Sequence, residues 1–262
     1  MSTPSPLDTS WWHDLPAEAW SARRTDLLWS AFGPTAEAAC LDRLAEALPL
    51  ARRPFTAGDL ARYDGCRAVV PPTEPPIHLL GVPEGVGHLL FQADPTEDGF
   101  VLTHIVPDLF CGPDIGLILT RTWLAPDRRA AILEAIGEET GTIAFYDLFW
   151  PLTRDLYQPH RPIRFAVGLL AYGVVFPATP METWLTPCPA PDEAVVCGTV
   201  TRVWDPLPEP FLGTRVRRVD VAAGGRKIGV LMTDAVSGGC QPQIGEGFMA
   251  EGWLSGRFWQ LP

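Results

Sequence analysis

The clearest pattern of hydrophobic and polar positions lies in the last third of the chain, where four short strand-like runs follow one another, the first of them rich in β-branched residues. Turn-forming residues bound these runs, among them the proline-rich stretch Asp205–Pro210 and the pair Gly224-Gly225. In the last run small residues recur at every second position, which predicts a strongly curved strand. The pattern is typical of a small closed β-barrel and resembles the OB-fold. The four runs are 195–203, 214–221, 227–233 and 248–259.

Helical spacing is found at two places in the N-terminal part of the chain. Apolar residues recur over 34–48 at the intervals of one helix face, and a proline precedes and follows them, which predicts an amphipathic helix. A second amphipathic helix is predicted over about 126–137, with Ile132, Leu133 and Ile136 facing inward. We expect both helices to pack on a sheet.

Strand patterns occupy much of the remaining N-terminal part. Residues 87–92 and 99–106 lie on either side of a turn and predict a β-hairpin. Residues 140–149 predict a further strand, and 165–176, which is apolar on both faces, predicts a buried central strand. The predicted fold class is therefore α+β: an N-terminal mixed antiparallel sheet with two amphipathic helices, followed by a small OB-like β-barrel.

Five prolines within residues 177–191 make this segment the best candidate for a linker. We therefore predict an N-terminal α+β domain over 1–176 and the OB-like barrel over 192–262. The N-terminal domain carries a tryptophan-rich arm, which we expect to wrap over the domain and anchor itself through its indole rings. No internal repeat is evident. The tryptophans of the arm are Trp11, Trp12, Trp20 and Trp29.

Composition and charge narrow the classes of function. The net charge is −11, and because nucleic-acid binding needs a basic surface, we do not expect nucleic acid to be the partner. No apolar run reaches the length of about 18 residues that a transmembrane helix needs, and the N-terminus lacks the pattern of a secretory signal. No membrane association and a cytoplasmic location are therefore expected. The six cysteines are scattered without a C-x-x-C pair, as in reduced intracellular proteins.

Sequence motifs of the common enzyme classes are absent. The chain has no phosphate-binding G-x-x-x-x-G-K-[ST] loop, no H-E-x-x-H zinc motif and no G-x-S-x-G nucleophile motif. The glycines Gly85 and Gly87 lack the third glycine of a dinucleotide-binding loop. We therefore expect no cofactor, and the sequence leans towards a protein without catalytic activity.

A polar and aromatic segment over 146–161 is the first candidate site. Loops held between rigid strands often carry function, and these residues could stack a planar ligand or pair with a carboxylate. In an enzyme, His160 would act as a base that Asp147 or Asp155 orients. The alternative is a structural loop whose aspartates cap turns and whose aromatic rings close the core. The candidate ligand-binding residues are Asp147, Trp150, Arg154, Tyr157, His160 and Arg161.

Two histidines of the predicted hairpin form the second candidate, a metal site. If the hairpin is symmetric about Thr96, His88 and His104 lie directly opposite each other, close enough to bind one metal ion. Asp108 or Cys111 would supply a third ligand. The alternatives are a pair of structural histidines, or a strand register that separates them.

The predicted barrel offers a third candidate surface. Its tryptophans could stack the bases of a single-stranded nucleic acid, with a nearby basic run following the backbone. The negative net charge argues against this, and such tryptophans commonly pack against a neighbouring domain. The tryptophans are Trp204, Trp253 and Trp259, and the basic run is Arg215, Arg217 and Arg218.

The pattern Phe145-x-Asp147, then Tyr157, then the apolar run 165–172 with barrel strands after it, resembles a family of uncharacterised bacterial proteins. The resemblance implies the order of the domains and no activity. The resulting hypothesis is a soluble bacterial protein without catalytic activity that binds a protein partner or helps an assembly. The alternatives are an enzyme with its site on 146–161 and a module that binds single-stranded nucleic acid through the barrel.

Overall fold

The computed structural model of the protein contains fifteen β-strands, three short α-helices and one 3-10 helix (Arg154–Leu156) within the residues that it describes. The longest of these helices has five residues, so the described fold is almost entirely β. The α+β prediction is therefore wrong. The described residues are 10–21, 31–33, 38, 67–70, 77–84, 87–96, 99–109, 114–147, 149–178, 183–187, 190–209 and 214–260.

Strands greatly outnumber helices along the described part of the chain. The helices are α1 (Ala17–Ser21), α2 (Trp150–Thr153) and α3 (Asp234–Ser237). The strands are β1 (Trp12–Asp14), β2 (Arg67–Val70), β3 (Ile77–Glu84), β4 (Gly87–Thr96), β5 (Gly99–Leu109), β6 (Asp114–Leu124), β7 (Ala131–Gly137), β8 (Gly141–Asp147), β9 (Pro162–Val175), β10 (Thr183–Pro187), β11 (Glu193–Val203), β12 (Leu207–Glu209), β13 (Thr214–Ala223), β14 (Arg226–Thr233) and β15 (Gly247–Gln260).

Eleven of these strands form one large mixed sheet that closes on itself twice. Ring 1 consists of β6, β7 and β8 and is closed by the first half of β9 and the second half of β15. Ring 2 consists of β11, β13 and β14 and is closed by the first half of β15 and the later part of β9. Each ring thus has five strands, two of which it shares with the other ring.

The two rings are built from the same order of elements. In each, three antiparallel strands are followed by a short helix and then by a strand of 14 residues, which is β9 in ring 1 and β15 in ring 2. Each long strand runs antiparallel to the first strand of its own ring and parallel to the third strand of the other ring. Leu169 and Leu254, the eighth residues of β9 and β15, pair with each other. A pseudo-two-fold axis at this pair therefore relates the rings.

A β-bulge marks the same place in both rings. The ladder between β6 and β7 skips Thr120, and the ladder between β11 and β13 skips Thr201. The sequence that begins at each bulged threonine reads T-R-x-W. The expectation that the chain has no internal repeat is therefore wrong. The two copies share few other identical residues, so pattern reading along the chain passes over them.

One continuous hydrophobic cluster fills both rings and crosses the shared strands. Close packing requires small residues on β15: a Cβ at Gly256 would lie 2.5 Å from the ring of Phe145, and one at Gly252 would lie 2.1 Å from the carbonyl oxygen of Leu170. Gly252 also lies at a register shift between β15 and β9. The small residues of the last run therefore allow this strand to bend against its neighbours.

The helix predicted over about 126–137 is instead the strand β7, which pairs with β6 and β8. Successive residues of a strand point to opposite faces, so Ile132 and Leu133 cannot both face the ring interior. Leu133 belongs to the main core, whereas Ile132 is buried under the N-terminal arm. Because both faces of this strand are buried, its apolar residues are as frequent as those of an amphipathic helix, which explains the wrong prediction. Ile136, which was predicted to face inward, is half exposed.

The C-terminal runs are strands, but they do not form a barrel of their own. Ring 2 closes only through β9, which comes from the N-terminal half of the chain. The prediction of a self-contained OB-like barrel is therefore wrong. Residues 177–191 connect β9 to β11 and contribute β10, which pairs with β11. The division of the chain into domains at this segment stays a prediction.

The N-terminal arm packs on ring 1. The strand β1 pairs in parallel with the end of β6. Trp11 is buried, and the ring of Trp12 lies 5.1 Å from that of Trp150, centroid to centroid. Leu15 forms a second hydrophobic cluster with Ile132 on the outer side of the ring. The indole rings and Leu15 therefore hold this segment against the sheet.

The remaining described strands form a separate antiparallel sheet with the order β2-β3-β4-β5. Its last two strands, β4 and β5, pair antiparallel, so the predicted hairpin is confirmed. The helix predicted over 34–48 lies outside the described residues apart from Ala38. Among the helices that the structure describes, none is long and apolar enough to cross a membrane.

Candidate functional site

Asp147, at the end of β8, is the centre of a buried polar network. Its Oδ1 accepts a hydrogen bond from the backbone N–H of Phe149 at 3.0 Å. Its Oδ2 lies 2.8 Å from the hydroxyl oxygen of Tyr157 and 3.2 Å from that of Thr153. The two hydroxyl oxygens are 2.7 Å apart. The carboxylate therefore fixes the turn that leads from β8 into α2 and anchors the chain after α2.

The surroundings of Asp147 shift its acidity. Burial raises the pKa of this carboxyl from 3.8 to about 6, although the hydrogen bonds from Phe149, Tyr157 and Thr153 act in the opposite direction. Burial, followed by the charge of Asp147, also raises the pKa of the Tyr157 phenol well above its ordinary value. Perturbed acids often mark active sites. Here the carboxyl is only 1% exposed, and the groups that perturb it are the core and its own turn.

The other predicted residues of this segment separate by burial. Trp150 and Tyr157 lie in the core with Asp147, and their rings are 6.2 Å apart. Arg154 is half-buried and lies 3.8 Å from the carboxylate of Asp155. His160 and Arg161 are exposed. The structure therefore brings three of the six predicted residues together, in the core, and leaves two at the surface.

Among the described residues of ring 2, none forms a counterpart of this network at the equivalent position. Met232 occupies the position on β14 that Asp147 occupies on β8, because the residues directly before them, Leu231 and Tyr146, pair with the ninth residues of the shared strands β9 and β15. Met232 is 1% exposed and belongs to the main core. In the part of the chain that the structure describes, the polar network therefore belongs to ring 1.

The register of the small sheet separates the two predicted metal ligands. His88 pairs with Asp108, and His104 pairs with Gln92. The prediction that the histidines lie opposite each other is therefore wrong, because Thr96 pairs with Gly99 and the hairpin is not symmetric about Thr96. The two residues are four positions apart along the strands, or about 13 Å. No group of three potential ligands that could hold a metal ion is found among the described residues, and the side chains of this sheet are not among those described.

The predicted stacking platform is not an open row of indole rings. Trp253 is 5% exposed and donates from Nε1 to Glu193 at 3.0 Å. Of the basic run, Arg217 is buried, and the other two members form ion pairs: Arg215 with Asp234 at 2.7 Å, and Arg218 with Asp220 at 2.8 Å. The side chain of Trp259 is not among those described. Nucleic-acid binding, which we do not expect, stays untested by this geometry.

The repeated T-R-x-W elements form two similar surface clusters that pattern reading missed. In ring 1 the guanidinium carbon of Arg121 lies 4.9 Å from the ring centroid of Trp123, and in ring 2 that of Arg202 lies 3.4 Å from Trp204. In both rings the hydroxyl of the bulged threonine donates to a backbone carbonyl of the next strand. Thr120 donates to Glu134 at 3.1 Å, and Thr201 donates to Asp220 at 3.0 Å. The repeated tetrapeptide was the signal that could have revealed them.

Ring 1 also exposes a row of four residues on adjacent strands, three of which are apolar. Ile118 on β6 lies opposite Ile136 on β7, and they are 41% and 49% exposed. Pro162 and Thr142 continue this row on the two sides, and we call the four residues the isoleucine row. In ring 2 the equivalent row is small or polar. Its residues are Gly247, Thr199, Ala222 and Lys227.

Comparisons of the chain with protein-family models, with curated proteins and with solved structures find no match.

Proposed function

We propose that this protein is a module without catalytic activity that binds a protein partner through the isoleucine row of ring 1. The observation that carries the proposal is the pair Ile118 and Ile136, two large apolar side chains held side by side at the surface of a rigid ring. Exposed apolar side chains that lie next to each other are typical of protein-binding surfaces. A β-sheet holds such a row in a fixed geometry, so little conformational entropy is lost when a partner covers it.

Ring 2 supports the proposal because it is an internal reference. The same fold position carries Thr199 and Ala222 there, so the ring itself does not require large apolar residues at these two sites. The fold therefore does not require the isoleucines, which supports a role for them in binding. The Asp147 network offers no comparable support for a catalytic role, since its polar atoms bond to one another inside the core.

The test compares a variant that gives ring 1 the residues of ring 2 with a matched control. The variant Ile118→Thr with Ile136→Ala removes the apolar pair. The control Ile244→Thr removes a residue that is 70% exposed and lies outside the row. Tagged wild-type protein and both variants are purified from cells that naturally make it, and co-purifying proteins are quantified by mass spectrometry.

We expect one protein to be recovered in stoichiometric amount with the wild type and with Ile244→Thr, and at least tenfold less with the double variant. Titration calorimetry with that purified protein should show the same tenfold loss of affinity. A partner that the double variant retains fully would overturn the proposal. So would the absence of any protein that distinguishes the double variant from the control.

A further inference from the structure

Ring 1 shows how this fold accepts an extended strand. The strand β1 adds in parallel to the outer side of the end of β6. The N–H of Thr122 donates to the carbonyl oxygen of Trp11 at 3.0 Å, and the N–H of Leu15 donates to that of Leu124 at 2.8 Å. The acceptor edge is therefore the backbone of residues 122–124, directly after the bulge.

A side-chain contact accompanies this backbone pairing. His13 of β1 pairs with Trp123, and the two ring centroids are 5.7 Å apart. Arg121 lies over the same indole ring. The T-R-x-W element of ring 1 thus presents a backbone edge and a tryptophan to the added strand, whose imidazole lies beside that tryptophan.

Ring 2 repeats the acceptor with the sequence Thr201-Arg202-Val203-Trp204. The backbone N–H of Trp204 donates to the carbonyl oxygen of Arg218 on β13 at 3.0 Å. Because successive residues of an extended chain direct their backbone groups to opposite sides, those of Val203 and Asp205 face the other, outer side. The pairing of β11 with β15 ends before this point, at Thr199. Among the residues that the structure describes, none pairs with the outer side of 203–205, and Asp205 is exposed.

We infer that this edge of ring 2 binds an extended segment of a partner protein, which adds in parallel to the end of β11 as β1 adds to β6. Strand addition to a sheet edge is a common mode of peptide recognition. The segment carries a planar side chain that lies beside Trp204, as His13 lies beside Trp123. It also carries an acidic side chain for Arg202, an exposed guanidinium that forms no ion pair with any described carboxylate. This site is separate from the isoleucine row and does not depend on it.

The probe is a synthetic peptide with the sequence of residues 10–16 of this chain and the change Trp11→Asp, which places an acidic side chain two residues before His13, on the same face of the extended strand as the imidazole. Fluorescence anisotropy measures its binding to the purified full-length protein, with no other protein present. We expect a saturable 1:1 complex. Arg202→Ala and Trp204→Ala should each weaken it at least tenfold, and Val203→Pro, which removes the outward N–H, should do the same. Ile244→Thr should bind as the wild type does.

The variants also distinguish the two edges. If the peptide merely replaces β1 on ring 1, Trp123→Ala will weaken binding and the ring 2 variants will not, which overturns the inference. Absence of saturable binding to the wild type overturns it as well. Arg202 is exposed, so Arg202→Ala remains a usable test if Trp204→Ala unfolds, which thermal melting by circular dichroism will show.

Discussion

Rings 1 and 2 have the same strand order, the same bulge and the same T-R-x-W element, but they use them differently. Ring 1 is covered on its outer side by the N-terminal arm, contains the buried Asp147 network and exposes the isoleucine row. Ring 2 has Met232 in place of Asp147 and a small or polar row in place of the isoleucines. Shared backbone geometry therefore permits very different side chains at equivalent positions.

The difference indicates which features the fold requires and which serve one ring only. Features present in both rings, such as the bulged threonine and the shared long strands, maintain the architecture. Features present in one ring are free to serve a purpose of their own. Substitutions at equivalent positions of the two rings can test this distinction, beginning with the largest expected effect.

The first prediction concerns Asp147, which only ring 1 has. Because burial raises its pKa from 3.8 to about 6, the folded protein binds this proton more tightly than the unfolded chain does. Its contribution to stability is therefore fully favourable below about pH 4 and is lost as the pH rises through 6, a change of about 3 kcal/mol. The variant Asp147→Asn should lack this loss. Urea unfolding between pH 4 and pH 7 measures the difference between the two proteins.

Met232, at the equivalent position of ring 2, has no titratable group. The difference curve reports Asp147 because every other titratable group is the same in the two proteins. Parallel stability curves for the wild type and Asp147→Asn across this pH range would contradict the prediction.

The second prediction concerns the packing of a shared strand. Gly256 lies against Phe145 in ring 1, whereas the equivalent pair in ring 2 is Ala171 and Val230, both fully buried. Gly256→Ala should therefore destabilise the protein by about 2 kcal/mol, because its Cβ would overlap the phenyl ring. Combining it with Phe145→Val gives ring 1 the pair of ring 2. The double variant should be more stable than the sum of the single effects by at least about 1 kcal/mol.

Denaturant unfolding of the wild type, both single variants and the double variant completes this thermodynamic cycle. Strictly additive effects of Gly256→Ala and Phe145→Val would contradict the prediction, because they would show that ring 1 does not accept the residue pair of ring 2.

The third prediction concerns the bulges, which both rings have. Thr120→Val and Thr201→Val each remove the hydroxyl that bonds to the neighbouring strand while preserving the shape of the side chain. The Thr120 hydroxyl lies within hydrogen-bond distance of both the backbone carbonyl and Oε1 of Glu134, whereas that of Thr201 donates to the carbonyl of Asp220. Each should lower the free energy of unfolding by about 1 kcal/mol or less. The loss should be the larger at Thr120, because its hydroxyl is part-buried and has a second acceptor, whereas that of Thr201 is exposed. Thermal melting of both variants makes the comparison, and a loss confined to one ring would show that only one bulge depends on its threonine.

Much of the local structure could be predicted from the sequence. The strands β8, β9 and β15 follow from runs of apolar and alternating residues, and the hairpin of β4 and β5 follows from two such runs around a turn. The strand β7 could not be recognised, because the N-terminal arm buries its second face. The residues of β7 themselves do not indicate that a distant segment covers them. The candidate segment 146–161 was found, but its division into a buried network and exposed residues was not.

The amino-acid sequence by itself indicated many of the strands and turns, and it contained the repeated T-R-x-W element. Only the tertiary structure decided that β9 and β15 are shared, that ring 2 closes through the N-terminal half of the chain, and that His88 and His104 lie apart. The physical reason is that alternation and turn residues act within a few positions of the chain. Pairing between distant strands depends instead on which edges and faces meet in the folded protein.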